Sequence, residues 1–201
     1  MPLLLTKRID PSSAYAIWKI SEPLDELGKQ YPKRPEGHYH PHKLAEWLAT
    51  RILIQHLCMK FGIDFQGIRK DEFGKPFLIN STAQISISHA FPIASAMIDL
   101  HAPCGIDVEW PRRQLVTVQK KFLHRTEYSY VNNEVALCII WAAKEAIYKR
   151  YGKKRLSFKE HIIIQLLEDH LIADMITEVG AVRVPLVIEQ VKQYYLVYSR
   201  H

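Results

Sequence analysis

The sequence predicts a mixed α/β (α+β) fold, and three observations carry that reading. Two long helix-patterned stretches, residues 41–61 and 134–151, fall one in each half of the chain. Each half follows the order strand, helix, strands, with the strand segments marked by period-2 alternation. The composition, 48% hydrophobic and 24% charged over 201 residues, is that of ordinary globular material. Such a length suffices for one domain with a sizeable core or for two small lobes of about 100 residues each.

Taken in order, residues 1 to 20 alternate weakly, and Ala14–Ile20 reads as a strand entering a core. Pro23, Pro32, Pro35 and Pro41 then punctuate a loop-rich stretch. Pro41 is well placed as the first residue of a helix that carries Leu44, Leu48 and Ile52 and stops at Gly62. Gly74-Lys-Pro76 is a turn that presents Lys75 at a defined point, although turn lysines are usually just solvated. Ile85–His89 alternates as a strand with Ser86 and Ser88 on its polar face and His89 at its end. Ala94–Leu100 is the next strand, and Ala102-Pro-Cys104 turns into a strand bearing Asp107. A basic stretch follows Pro111. Lys121–Tyr128 then predicts a helix with Thr126 as its cap, broken at Asn132-Asn133. The principal helix runs from Glu134 to Tyr151 and ends at Gly152, with Ala136, Ile140, Ala143, Ile147 and Tyr151 as its buried stripe. Four strands complete the chain, at 160–167, 171–176, 182–189 and 193–199.

A net charge of +6 and a pI near 9.2 favour an anionic partner. The dense basic cluster, Lys149-Arg150 with Lys153-Lys-Arg155, lacks the interleaved aromatics of a single-strand binding platform, which argues against nucleic acid. Cys58, Cys104 and Cys138 have no zinc-site spacing and read as reduced structural thiols. The opening Met-Pro-Leu-Leu-Leu-Thr-Lys-Arg is too short and ill-ordered for a secretory signal, and no apolar run approaches the ~20 residues that cross a bilayer. A cytoplasmic protein without a membrane partner is therefore expected.

The chemistry concentrates in two segments. In Cys104-Gly-Ile-Asp-Val-Glu-Trp110, Asp107 and Glu109 alternate with Ile106 and Val108, so both carboxylates share one face of a strand. In Trp141-Ala-Ala-Lys-Glu-Ala-Ile-Tyr-Lys149, Glu145 and Lys149 stack on neighbouring turns of one helix face. Magnesium takes hard oxygen ligands and completes its shell with phosphate and water, a demand that Asp107, Glu109 and Glu145 suit. Lys149 supplies a point charge for the far side of a pyrophosphate, and Glu145 is placed to receive a proton from an attacking hydroxyl. A histidine after a strand is most often structural, but Ser88 and His89 are also placed to donate to a phosphate. The bland alternative, for either segment alone, is a solvated strand edge and a Glu-to-Lys helix pair contributing about 0.2–0.5 kcal/mol.

Gly74-Lys-Pro76, Ile87-Ser-His89, Gly105-Ile-Asp-Val-Glu109, Phe122 to Tyr128 and Trp141-x-x-Lys-Glu-Ala-x-x-Lys149 occur in this order. Together, over residues 40 to 158, they resemble the 4'-phosphopantetheinyl transferase superfamily of the surfactin-synthetase-activating type. The resemblance implies transfer of the 4'-phosphopantetheine arm of coenzyme A to a serine of an acyl or peptidyl carrier protein, with release of adenosine 3',5'-bisphosphate. It implies Mg2+ on Asp107, Glu109 and Glu145, with Glu145 also a candidate base. Lys149 is implied to hold the pyrophosphate with support from Lys144, while Arg51, Lys75, Ser88 and His89 contact coenzyme A phosphates. The implied fold is two similar lobes, 1–103 and 104–201, related by a pseudo-twofold, each with a long helix on a small mainly antiparallel sheet. A monomer is implied, since one chain supplies both sides of the cleft. A second glycine frequent in the family after the Lys-Glu helix is replaced here by Lys153-Lys-Arg-Leu-Ser157. That departure supports the alternative of a non-catalytic coenzyme A or phosphate-binding protein on the same scaffold, against which stands the retention of all three carboxylates.

Overall fold

The weak alternation at the start of the chain is a hairpin. In the computed structural model, which describes residues 3–153, 156–167 and 171–201, β1 (Leu3–Arg8) pairs antiparallel with β2 (Ser13–Lys19). Asp10 ties the turn, accepting from the backbone N–H groups of Ser12 and Ser13 and from both hydroxyls. Those bonds, led by the one from the Ser13 hydroxyl, hold its carboxyl down at about 2. The proline-punctuated stretch is not all loop, because a short helix, α1 (Leu24–Gln30), forms within it and buries Leu27. Its two apolar anchors, the buried Leu27 and the partly buried Leu24, give little periodicity to read. Helix α2 (Pro41–Lys60) starts with Pro41 at its first position, and the His40 ring accepts from His42 N.

These elements belong to a six-stranded antiparallel sheet of order β1-β2-β6-β5-β4-β3, completed by β3 (Ile68–Lys70), β4 (Pro76–Leu78), β5 (Gln84–Ala90) and β6 (Ile93–Asp99). Ala14, Ala16, Ala94 and Ala96, none more than 3% exposed, make a flat floor on which Leu48, Leu53 and Leu57 of α2 pack. Every residue of β6 is buried, so it has no polar face to betray it as a strand.

The second sheet has the order β7-β11-β10-β9-β8, from β7 (Ile106–Glu109), β8 (Ile162–Leu166), β9 (Leu171–Thr177), β10 (Gly180–Val191) and β11 (Tyr194–Ser199), all antiparallel. Helix α4 (Glu134–Tyr151) lies across it, burying Ile140, Ala143 and Ile147 against Ile162, Ala173, Leu186 and Val197. Asn133 caps it by accepting from Ala136 N, and Gly152 ends it in the left-handed conformation, φ +69°. The helix expected over 121–128 is instead α3 (Arg113–Val118) followed by 3-10 turns at Gln119–Lys121 and Arg125–Tyr130. The cap of the last turn is His124, not Thr126: Glu127 reaches back to His124 N at 2.8 Å. The cap lies two residues before the expected one, because His124 and Glu127 form a capping box.

The chain divides into two compact units, Met1–Glu72 with Pro76–Pro103, and Phe73–Lys75 with Cys104–His201. Each holds one antiparallel sheet and one long helix. Lys154 and Arg155 of the expected basic cluster lie outside the described residues. Among the described residues no helix is long and apolar enough to cross a membrane.

Candidate active site

Gly105 decides how the two chemistry-bearing segments meet. A Cβ at this position would stand 1.9 Å from the backbone oxygen of Ala146, so only glycine lets the start of β7 lie directly against α4. The strand register does the rest. Asp107 is opposite Val197 and Glu109 opposite Tyr195, and both partners pack in the core beneath α4, so the carboxylates stand on the face that the helix covers. Ile106 and Val108 point to the other face and are buried there as well.

From the helix, Lys149 completes the arrangement. Its ammonium lies 2.5 Å from Asp107 Oδ1 and donates to the carbonyl of Ile106 at 3.4 Å. Along α4, Trp141, Glu145 and Lys149 are half-buried on a helix whose other central positions are nearly all fully buried. The Glu145 carboxyl is pushed up to about 7, first by burial, then by the charge of Asp107, with Lys149 opposing and Glu109 adding to the shift. Glu109 is gripped at both oxygens by Arg112, whose Nη2 lies 3.2 Å from Oε1 while Nη1 meets Oε2. The site is thus three carboxylates that feel one another's charge, offset by two cations, with one carboxyl poised to hold or release a proton near neutral pH.

An oxygen-only donor set carrying excess negative charge fits a hard divalent cation. As the side chains stand, however, no three His, Cys, Asp or Glu among the described residues already form a ligand cluster. Lys149 and Arg112 occupy part of the carboxylate oxygens instead.

Lys144 is held inside the fold. Its side chain is fully buried, ion-paired with Glu127 at 2.9 Å and donating to the carbonyls of Phe158 and Ile162 at 2.8 and 2.5 Å. Its three N–H donors are spent inside the fold, and burial lowers its pKa although Glu127 resists. Glu127 also accepts from Ile164 N and His124 N, so this pair joins α4 to β8 and to the turn before it. No phosphate can reach that ammonium without dismantling these bonds.

Lys75 donates to the carbonyl of Arg150 at 3.1 Å, at the C-terminal end of α4, where a cation is favoured. Gly152 makes room for it, since a Cβ there would fall 2.2 Å from Lys75 Cδ. In the first unit, Arg51 is buried with its guanidinium 4.1 Å from the Trp47 ring centroid, donating to Trp47 O and Thr50 Oγ1. Burial lowers its pKa to about 10. Ser88 is buried on β5, and His89, with its side chain 41% exposed, sets Nδ1 3.3 Å from Glu46 Oε2.

Arg112 and Glu127 were given no site role from the sequence, and Cys138 was read only as a structural thiol. The Cys138 thiol is held up at about 12 by burial first and then by the charge of Glu109, which puts it beside the carboxylates. It sits seven residues before Glu145, two helical turns along the same face, a spacing visible in sequence but uninformative without the neighbouring strand.

Residues 103–195 match the family model described as the 4'-phosphopantetheinyl transferase superfamily. Among curated proteins, the chain is similar to "4'-phosphopantetheinyl transferase gsp" of Aneurinibacillus migulanus, 32% identical over 118 residues, which cover 55% of this chain and 47% of that protein. It is also similar to "4'-phosphopantetheinyl transferase" of Bacillus subtilis, 27% identical over 152 residues, covering 66% of this chain and 67% of that protein. The match thus spans about half the length of the first relative and two thirds of the second. The residues matched by the family model take in β7 and α4 with Asp107, Glu109, Glu145 and Lys149.

Proposed function

We propose that this protein is a 4'-phosphopantetheinyl transferase, moving the phosphopantetheine arm of coenzyme A to a serine of an acyl or peptidyl carrier protein. The observation that carries the reading is that Glu145, raised to about 7 first by burial and then by the charge of Asp107, shares a helix face with Lys149, which is paired with Asp107.

On this reading the serine Oγ attacks the phosphorus bonded to the pantetheine oxygen. The new O–P bond forms as the bridging P–O bond of the pyrophosphate breaks, and adenosine 3',5'-bisphosphate leaves with that electron pair. Glu145 accepts the hydroxyl proton, a task suited to a carboxylate whose pKa lies near the working pH. Lys149, anchored by Asp107 and Ile106 O, offers its remaining N–H to the pyrophosphate and offsets its charge. Mg2+, held by Asp107, Glu109 and Glu145, would draw negative charge from the pyrophosphate oxygens. Arg51, Lys75, Ser88 and His89 are proposed contacts of the coenzyme A phosphates, with the Arg51 guanidinium already oriented by Trp47. Acidic carrier proteins would be drawn to a chain of charge +6, and their association would slow as salt rises.

The test is the intact mass of apo carrier proteins after incubation with this protein, coenzyme A and Mg2+. A gain of one phosphopantetheine group, lost with chelator and in Glu145→Ala, is expected. Coenzyme A binding without any gain would move the assignment to a non-catalytic binding protein.

A further inference from the structure

We propose that Arg112 is a displaceable counter-ion of Glu109 that competes with a divalent cation for this carboxylate and so sets the metal affinity of the site. The inference rests on the reading of Asp107, Glu109 and Glu145 as metal ligands.

The geometry is specific. After β7 the chain turns through Trp110-Pro111, and Arg112 caps α3 with an extended backbone, φ −151°. This brings its guanidinium back onto the residue three positions earlier, fork to fork, with both nitrogens on both oxygens. A carboxylate so engaged has one lone pair on each oxygen occupied and its charge offset, so a cation that chelates both oxygens from that side must displace the guanidinium. Arg112 cannot yield by losing its proton, because a guanidinium stays charged at any working pH. It yields only by moving.

The surroundings allow that movement. The Arg112 side chain is 27% exposed and Glu109 14%, so the pair sits at the edge of the site, not within the core. The guanidinium carbon is 5.8 Å from the Trp110 ring, which offers an aromatic neighbour on the same surface turn. Lys149, by contrast, is rooted on α4 and held to the β7 backbone at Ile106, so its pairing with Asp107 is the fixed one. The two cations therefore differ in kind: one belongs to the rigid strand and helix, the other to the turn that follows.

The experiment titrates the metal-free full chain with Mn2+, following free Mn2+ by electron paramagnetic resonance, without coenzyme A or carrier. Arg112→Gln removes the competing charge and is expected to bind Mn2+ roughly 5- to 30-fold more tightly, the factor that corresponds to losing a partly exposed charge-assisted pair. Arg112→Lys, which keeps the charge but not the fork, should fall between. Wild-type Trp110 emission should change saturably with Mn2+ as the guanidinium leaves, and thermal unfolding monitored by circular dichroism checks that each variant is folded. Unchanged affinity in Arg112→Gln overturns the proposal. Weaker binding also overturns it, and would make Arg112 an orienter of Glu109 for the ion. Glu109→Gln separates the two levels. If it binds Mn2+ as wild type does, the metal reading itself fails and this proposal with it; if it loses affinity while Arg112→Gln is unaltered, only the role of Arg112 fails.

Discussion

Replacing Glu145 by glutamine keeps the shape of the side chain and removes its charge, which isolates the cost of ionising a buried carboxyl beside Asp107 and Glu109. The folded carboxyl sits at about 7 against an ordinary 4.5, because burial and then Asp107 disfavour its ionised form. A raised folded pKa means that the native state binds the proton more tightly than the unfolded chain. The associated stability is fully present below pH 4.5 and is lost as pH rises through 7. At ~1.4 kcal/mol per unit, the shift corresponds to about 3 kcal/mol once both states are ionised. Glutamine carries no such penalty, so in chelator-treated protein Glu145→Gln should be more stable than wild type by about 1 kcal/mol at pH 5 and by about 3 kcal/mol at pH 8. Urea unfolding at the two pH values, with equal m-values as the check on the denatured state, measures this directly. The same variant should be inactive as a transferase, so stability and activity move in opposite directions. A stability difference independent of pH, or a less stable variant at pH 8, would show that Glu145 is not charge-coupled to Asp107 and Glu109.

The other expectations are shorter. Lys144→Met leaves Glu127 buried without its cation and should cost about 3–5 kcal/mol by urea unfolding, a loss too large for a surface lysine. Asp107→Ala should keep a native circular dichroism spectrum while turnover in the carrier mass assay falls at least roughly 10²-fold; near-normal turnover would remove Asp107 from the site. Lys75→Ala should weaken coenzyme A binding in calorimetry and, by uncapping the C-terminal end of α4, lower stability by about 0.3–1 kcal/mol. Gly105→Ala forces the Ala146 backbone away from β7 and should cost about 1–3 kcal/mol, with a loss of activity greater than the loss of folded protein.

Legibility in the sequence followed the range of the interaction. Helices α2 and α4 and the shared face of Glu145 and Lys149 were readable because a period of 3.6 is set by neighbours three and four residues apart. Strands β5 and β7 were readable from alternation, though the buried Ser86 and Ser88 show that a polar residue in a strand need not face water. The region from 113 to 130 was misread because its short helix and 3-10 turns bury few residues each, Leu115 and Glu127 among them, and so leave no periodic stripe. Lys144 looked like a site residue by adjacency to Glu145. On a helix, adjacent residues point about 100° apart, which here sends one to the carboxylates and the other into the core.

The sequence by itself determined the two long helices, the common face of Asp107 and Glu109, and the common face of Glu145 and Lys149, since each depends only on local backbone geometry. Only the tertiary structure decided that these faces meet. That required Gly105 to admit α4 against β7 and the β7–β11 register to turn the carboxylates under the helix. It also decided that Glu127 and Phe158 claim Lys144 and that Arg112 claims Glu109. Except for the local turn that joins Arg112 to Glu109, these are contacts between groups distant in the chain. They are fixed by close packing and by the need to pair every buried charge, neither of which leaves a period in the sequence.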